Sequence, residues 1–463
     1  MDILLTHGYF LNEDPHELKV MKPYPPLGIL YNVAYLKRAG FKADVFDTTF
    51  SRLNEFEQYL ERERPSIVGI YTNLMTKFNV LKMIALCKRF GATVILGGPE
   101  PASYVEEYLD RGADVIVIGE GEASLEELLP RLTKAGPHQL DGILGIAYRR
   151  DDGSIVRALP RPYIADLDAL PDPDREAIDI DRYVETWRTH HGLGSVSLIC
   201  ARGCPYHCEW CSHAVYGNTH RRRSPQRVAA EVEFLLARYK PDQLWYADDV
   251  FTIRHSWFFE YADELKRRNI RIPFECISRA DRLNDEVIDR LAEMGCLRLW
   301  IGSESGSQNV LDAMRREVRV EQVQAMTHAL KRRGIETGMF IMLGYEGEEL
   351  KDLETTVEHL KKSAPNVFLT TVAYPIKGTP YYQKVEDRVL VRDDWDRRTD
   401  RQLSVKGRHS MRFYSFATRW MVSSVALHRE RTNGRRVVRM AKAAASVAVG
   451  RAGMMLTANE REG

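Results

Sequence analysis

Residues 200–211 read CARGCPYHCEWC, and the fold and chemistry of the chain are read outward from them. Cys204, Cys208 and Cys211 follow a Cys-x3-Cys-x2-Cys spacing, which puts three thiolates on one short loop. Soft thiolates at this density select an iron–sulfur cluster or zinc. A [4Fe–4S] cube takes one ligand per iron, so three cysteines hold three irons and leave the fourth open to a substrate. Zinc prefers two cysteine pairs or added histidines. A second pair is missing here, although His207 and His213 stand close in sequence. Cys200 is open to two readings: a fourth ligand that closes the cluster, or a buried inert thiol at the end of a strand SVSLIC.

The 463 residues suffice for two or three domains with real cores. Hydrophobic content of 44% and charged content of 28% are ordinary for a globular protein. A net charge of +1 gives no global sign of nucleic-acid binding. Four of the seven cysteines lie within twelve residues, unlike a disulfide framework. The start MDILLTHGYF is too short for a signal peptide, and no apolar run is long enough to span a bilayer. A reducing, cytoplasmic setting is therefore expected.

Residues 1–140 alternate short β-rich runs with amphipathic stretches, the rhythm of a parallel sheet with helices on both faces. The predicted strands are Asp2–Thr6, Ala43–Asp47, Ile67–Tyr71, Thr93–Leu96 and Val115–Ile118. Helices are predicted over Leu27–Ala39 and Phe78–Phe90. Ligands of such sheets bind beyond the C-terminal strand ends, and Gly97, Gly98, Gly119 and Gly121 fall there. Residues 141–192 read as a linker carrying a small β-hairpin (Leu144–Arg149, Ile155–Leu159) and a Pro/Asp-rich extended stretch. From about residue 193 to 390 the rhythm resumes, with strands at Ser195–Cys200, Gln243–Ala247, Phe274–Ile277, Leu297–Ile301, Thr337–Leu343 and Val367–Ala373. Six such units suggest a partial (β/α)6 barrel, whose functional residues collect at the C-terminal strand ends. Ser224-Pro225 is a helix start, a capping hydroxyl before proline.

Residues 391–463 carry 16 Lys+Arg against 7 Asp+Glu. Leu403–Arg431 is predicted helical. Val437–Thr457 is Ala-rich and basic, either a solvated helix or a weak membrane-surface element. The solvated helix is preferred, because Arg439, Lys442 and Arg451 interrupt the apolar face.

The cysteine loop, with Trp210 before its last cysteine, resembles the cluster loop of the radical S-adenosylmethionine (radical SAM) superfamily. Later segments resemble that family in order: DD at Asp248-Asp249, GSESGSQ from Gly302, MLGYEGE around Gly344 and PIKGTPYY. Tyr345-Glu346 depart from the family's usual Leu/Ile-Pro. The resemblance implies that the cluster reduces SAM to a 5′-deoxyadenosyl radical. It also implies that Asp248 and Asp249 meet the SAM ammonium, and that Glu304 and Ser305 meet ribose hydroxyls. Gly302 leaves room, and Gly344 offers a backbone contact to adenine. Arg279 is open to two readings, a contact with the SAM carboxylate or a side chain snorkelling over the barrel surface. Two adjacent carboxylates at a strand end need a cation if buried, or else form an exposed acidic turn.

The N-terminal stretches YPPLGILYNVAYLKRAG, VILGGPEP and VIGEGEASLEELL resemble the cobalamin-binding domain that precedes many radical SAM barrels. That likeness implies that Thr72, Leu74, Gly97 and Gly98 line the nucleotide tail, with Gly119 a further cofactor-binding glycine; the alternative is a Rossmann-like domain whose glycines only make turns. The cobalt-ligating Asp-x-His-x-x-Gly is absent. Asp14-Pro15-His16 comes near it, but His16 reads as a surface histidine, and no histidine is expected at the tip of the first strand. The whole resembles class B radical SAM methyltransferases, acting on a small-molecule or lipid substrate with an electron donor such as flavodoxin or ferredoxin. Two rival readings remain: a non-methylating radical SAM cyclase or rearrangement enzyme, and a zinc-stapled binding protein. No catalytic acid or base is assigned.

Overall fold

The computed structural model describes residues 1–433 and 437–463. It divides into two compact units. The first comprises residues 1–205, 212–247 and 393–399; the second comprises 206–211, 248–392 and 400–463.

The first unit is built on a seven-stranded sheet. Its strands are β1 (Ile3–His7), β2 (Ala43–Phe46), β3 (Ile67–Tyr71), β4 (Thr93–Gly97), β5 (Val115–Val117), β6 (Ile146–Arg149) and β7 (Ile155–Arg157), in the order β2-β1-β3-β4-β5-β6-β7. The first five pair in parallel, with Leu4 opposite Val68 and Ile67 opposite Thr93. Alternate residues feed two cores, as a period of two requires when both faces are covered. Leu4, Val68, Ile70 and Val94 face one core. Ile3, Leu5, Ile67 and Ile95 face the other. Helices α1 (Leu27–Arg38), α2 (Lys77–Arg89) and α3 (Glu122–Ala135) lie where their apolar periodicity predicts or follow the glycine turns.

Two features of the linker differ from the sequence reading. The hairpin extends the N-terminal sheet, β6 pairing antiparallel to β5 with Val115 opposite Tyr148. Residues 180–191 form a helix, α4 (Ile180–His191), which begins inside the Pro/Asp-rich stretch expected to be extended and runs on past it. Ile180, Tyr183, Val184 and Trp187 bury one face at i, i+3, i+4 and i+7. Asp179 caps its start by accepting from Arg182 N at 3.0 Å, and Gly192 ends it at φ 81°. The tail also contributes to this unit: buried Lys77 donates from Nζ to the carbonyls of Trp395 and Arg398 at 2.6 and 2.8 Å.

All six strands foreseen for the second half are present. In the first unit, β8 (Ser195–Leu198) pairs in parallel with β9 (Gln243–Tyr246). The helix α5 (Pro225–Tyr239) starts as predicted, Ser224 Oγ accepting from Arg227 N at 3.3 Å. In the second unit, β10 (Phe274–Ser278), β11 (Cys296–Glu304), β12 (Glu336–Leu343) and β13 (Val367–Val372) pair successively in parallel. The helix α6 (Leu350–Ser363) joins β12 to β13. The chain is thus α/β, with parallel sheets and a helical C-terminus. Its last two helices are α7 (Met411–Asn433) and α8 (Val437–Leu456).

Candidate functional site

In the first unit a cavity opens at the C-terminal side of the parallel strands. Leu5, Gly69, Ile95 and Val117 wall it from the sheet, Ile29 and Leu125 from α1 and α3, and Tyr71 and Tyr216 stand at its rim. Glycine makes the space. At Gly69 a Cβ would lie 2.5 Å from the Leu5 side chain, whereas a Cβ at Gly97 would meet nothing within 4 Å. Gly97 is therefore the sheet position from which a side chain enters the cavity. Gly98 has a different role: at φ 108° its added Cβ would stand 2.3 Å from the Thr72 carbonyl, so it is a turn glycine in close backbone contact.

Asn32, on α1, lines the same cavity. Its Nδ2 donates to the Gly28 carbonyl at 2.7 Å, and its Oδ1 is buried with no hydrogen-bond partner. An orphaned acceptor in an apolar, glycine-walled cavity suits a ligand that brings its own donor. At the rim, buried Arg202 donates to Glu120 at 2.7 Å and Glu122 at 2.5 Å, and Arg221 donates to Glu120 at 2.8 Å.

Of the residues predicted to bind cobalamin, Gly97, Gly98 and Gly119 line the cavity, while Thr72 and Leu74 are not among its walls. Thr72 is fully buried, its N–H donating to the Gly97 carbonyl at 2.8 Å. Asn32, Tyr71, Arg202 and Tyr216 were not foreseen; they come from separate elements of the chain, and only the Gly-Glu-Gly-Glu run hinted at a rim. His16 is exposed, as expected. The expectation that no histidine ends the first strand is corrected, since β1 ends at His7. That ring is taken up inside the fold. Its Nε2 lies 3.0 Å from Asp47 Oδ1 and its Nδ1 3.0 Å from Thr48 Oγ1. Burial alone would raise the Asp47 carboxyl; the bonds from His7, Thr49 and Tyr183 hold it below its ordinary value instead.

In the second unit, residues 206–211 are pinned by backbone bonds. Glu209 N donates to the Met314 carbonyl at 3.1 Å, Tyr381 N donates to the Glu209 carbonyl at 2.8 Å, and Trp210 packs against the Met314–Tyr345–Tyr381 core. Cys208 is buried, and two guanidiniums address its sulfur. Arg316 Nη1 lies 3.4 Å from Sγ and Arg279 Nη1 3.9 Å. Buried cations aimed at a thiol fit a sulfur that carries negative charge, as a cluster ligand does. Among the described residues no three His, Cys, Asp or Glu side chains stand together as a formed metal site. None of the seven cysteines forms a disulfide. Cys204, in the first unit, is half-buried, and Cys200 is fully buried there.

Arg279 is 1% exposed, which removes the surface-snorkelling reading. Its guanidinium stacks 3.6 Å over the Tyr206 ring and donates to Asp281 at 2.8 Å and to the Arg316 carbonyl at 2.7 Å. Glu304 is the conformational outlier of the GSESGSQ segment. It sits at φ 58°, where the β11–β12 register shifts, and is buried. Burial raises its carboxyl above the ordinary value, and Arg316, 3.7 Å away, opposes that rise. A strained, desolvated acid beside a buried cation marks a functional position. Gly302 admits this pair: a Cβ there would meet Arg316 Nη2 at 2.2 Å, and its carbonyl accepts from Arg316 at 2.9 Å. Ser305 faces α6 instead, its Oγ 3.1 Å from Thr356 Oγ1. Asp248 is buried and Asp249 exposed.

The Gly344 turn is lined from within the unit. A Cβ on Gly344 would lie 2.7 Å from the Tyr414 ring, and its N–H donates to Glu348 Oε2. Burial, helped by Asp352 and opposed by the Gly344 N–H, raises the Glu348 carboxyl from 4.5 to about 8. The folded state therefore holds a proton that the unfolded chain releases near pH 4.5. This stabilisation is complete below pH 4.5 and is lost as pH rises through 8. Glu348→Gln, which keeps the neutral acceptor, is expected to match the native protein in calorimetric Tm near pH 4 and exceed it at pH 9. Equal Tm values at pH 9 would refute the assignment.

The Radical SAM superfamily matches residues 198–360, and the B12 binding domain matches residues 18–129. An uncharacterized methyltransferase of Pyrococcus horikoshii is 25% identical over 83% of this chain and 84% of its own. The anaerobic magnesium-protoporphyrin IX monomethyl ester cyclase of Rubrivivax gelatinosus is 27% identical over 80% of this chain and 68% of its own. Among solved structures, the cobalamin-dependent S-adenosylmethionine radical enzyme OxsB with aqua-cobalamin bound superposes with a TM-score of 0.74. It is 17% identical, covering 98% of this chain and 72% of OxsB. The chain carries a radical SAM domain and a B12-binding domain, and it is an enzyme; the zinc-stapled binding protein is set aside.

Proposed function

We propose that this protein is a cobalamin-dependent radical SAM methyltransferase acting on an unactivated carbon of a small-molecule or lipid substrate. The observation that carries the reading is the apolar cavity of the B12-binding domain, walled by Gly69 and Gly97 and facing the orphaned Asn32 Oδ1. Cys204, Cys208 and Cys211 would hold a [4Fe–4S] cluster. When bound, the cluster supplies the electron that cleaves the SAM sulfonium, and cobalamin carries the methyl group. The protein's own part is position and exclusion of water. Arg316 and Arg279 hold the charge of the Cys208 sulfur, and Arg316 also holds Glu304 in its strained place. His7, at the tip of β1, is engaged by Asp47 and Thr48, so it is not counted among the residues that would hold cobalamin. A cytoplasmic setting and a flavodoxin- or ferredoxin-type donor belong to it; among the described residues no helix is long and apolar enough to cross a membrane.

A second reading drops methyl transfer and keeps the radical step, and the cyclase relative at 27% identity favours it. Product mass distinguishes the two. Turnover with SAM labelled in its methyl group should add one labelled methyl to the product; an unlabelled product, lighter by hydrogen or rearranged at unchanged mass, would establish the second reading.

Within either reading, Asp248 and Asp249 meet the SAM ammonium and Glu304 the ribose. Asp249→Ala and Glu304→Gln are expected to weaken SAM binding about 10- to 150-fold, the worth of a charge-assisted hydrogen bond of roughly 1.5–3 kcal/mol, while sparing iron content. Calorimetric SAM affinities unchanged in both variants would return these acids to a structural role.

A further inference from the structure

The helix α8 leaves most of its aliphatic residues exposed. The face it turns to α7 carries Ser446, Gly450 and Gly453, and Met454 is buried as well. A Cβ on Gly450 would lie 2.8 Å from the Trp420 backbone, and one on Gly453 would lie 2.3 Å from the Phe416 ring. Beside them Ser446 Oγ accepts from Arg419 Nε at 3.0 Å and from Ser423 Oγ at 2.8 Å. Most of the aliphatic residues point the other way. Val437 is 78% exposed, Val438 68%, Met455 73% and Leu456 85%, with Val449 between them at 45%. Ala441, Ala444, Ala445, Ala448 and Ala452 complete the exposed stripe. At 3.6 residues per turn these ten positions fill an arc of roughly 140° with no polar side chain in it. A solvated helix has the opposite pattern, so the preference for a solvated helix drawn from sequence does not match this packing. The three basic residues that suggested it lie off the arc.

Their placement indicates what covers the face. By helical phase, Lys442 lies at one edge of the arc and Arg451 at the other, and Arg439 lies further round. Lys442 is exposed, Arg451 reaches Glu354 on α6, and Arg439 stands 3.9 Å from Glu430. Residues 437–456 contain no Asp or Glu. An uninterrupted aliphatic stripe edged by long cationic side chains, on a helix that does not span, is the arrangement that lies in a bilayer interface; the cations reach the headgroups. The absence of acids selects an anionic surface.

We propose that α8 docks the protein, through this aliphatic face, onto an anionic membrane surface. The test is cosedimentation of the full chain with phosphatidylcholine vesicles, with and without phosphatidylglycerol. The native protein is expected to pellet with the anionic vesicles and to be released at about 1 M salt, where screening acts within ~3 Å. Val438→Glu combined with Leu456→Glu, at exposed positions of the fold, is expected to reduce partitioning at least about tenfold, since each removes an aliphatic anchor from the lipid interface. Lys442→Glu, which leaves the stripe untouched, is expected to weaken binding to anionic vesicles only. Equal binding to both vesicle types, or none to either, would overturn the proposal. So would a native dimer in sedimentation velocity that the double variant turns monomeric, because the face would then join two copies of the chain.

Discussion

Alanine at Cys204, Cys208 or Cys211 is expected to reduce reductive SAM cleavage to the level of a protein-free control, with loss of iron and sulfide. A cube with an open iron needs all three remaining irons held, so no pair of these thiolates substitutes for the third. Cys208 carries a further consequence, because Arg316 and Arg279 both aim at its sulfur and Arg316 is buried with Glu304. Removing that sulfur leaves buried cations with less negative charge to face, so Cys208→Ala is expected to cost more stability than Cys211→Ala. Cys200 is the control. It is fully buried, and Cys200→Ala is expected to cost roughly 1 kcal/mol of packing while retaining cluster and activity. Anaerobic reconstitution, iron and sulfide analysis and chromatography of 5′-deoxyadenosine decide the matter. A Cys200 variant without a cluster, beside a Cys204 variant that keeps one, would show that the ligand set is wrong.

The second large effect concerns the cavity of the B12-binding domain. Gly97→Leu is expected to reduce cobalamin retained after desalting by about 5- to 150-fold, because an overpacked side chain costs ~1–3 kcal/mol to displace. The residue adopts ordinary backbone angles, and its added Cβ meets no protein atom within 4 Å, so the fold has no reason to suffer. Gly98→Val is a poorer probe. At φ 108° and 2.3 Å from the Thr72 carbonyl, it strains the turn whether or not a ligand is present. Absorbance after reconstitution with hydroxocobalamin reports binding, and the iron–sulfur spectrum should persist in the Gly97 variant. Undiminished cobalamin in Gly97→Leu would place the cofactor outside this cavity. His16→Ala should change neither spectrum.

Much of this was legible in the chain as written. Thiol spacing is a local property, and so is the alternation that assigns Ile67–Tyr71 to a strand, with Ile67 on one sheet face and Val68 on the other. The Ser224-Pro225 start is equally local, since cap and first helical turn are adjacent residues. What escaped were groups brought together by chain closure. Arg316 meets Cys208 across 108 residues, and Tyr183 meets Asp47 across 136. No spacing rule encodes such pairs, because their partners are chosen by packing. His7 was visible as a letter, but only the tertiary fold shows both ring nitrogens taken. The same division holds for α8. Its composition shows basic and aliphatic residues in one helix, and helical phase sorts them into faces. Which face meets α7 was decided by Gly450 and Gly453, whose missing side chains let Trp420 and Phe416 approach and so turned the aliphatic stripe outward.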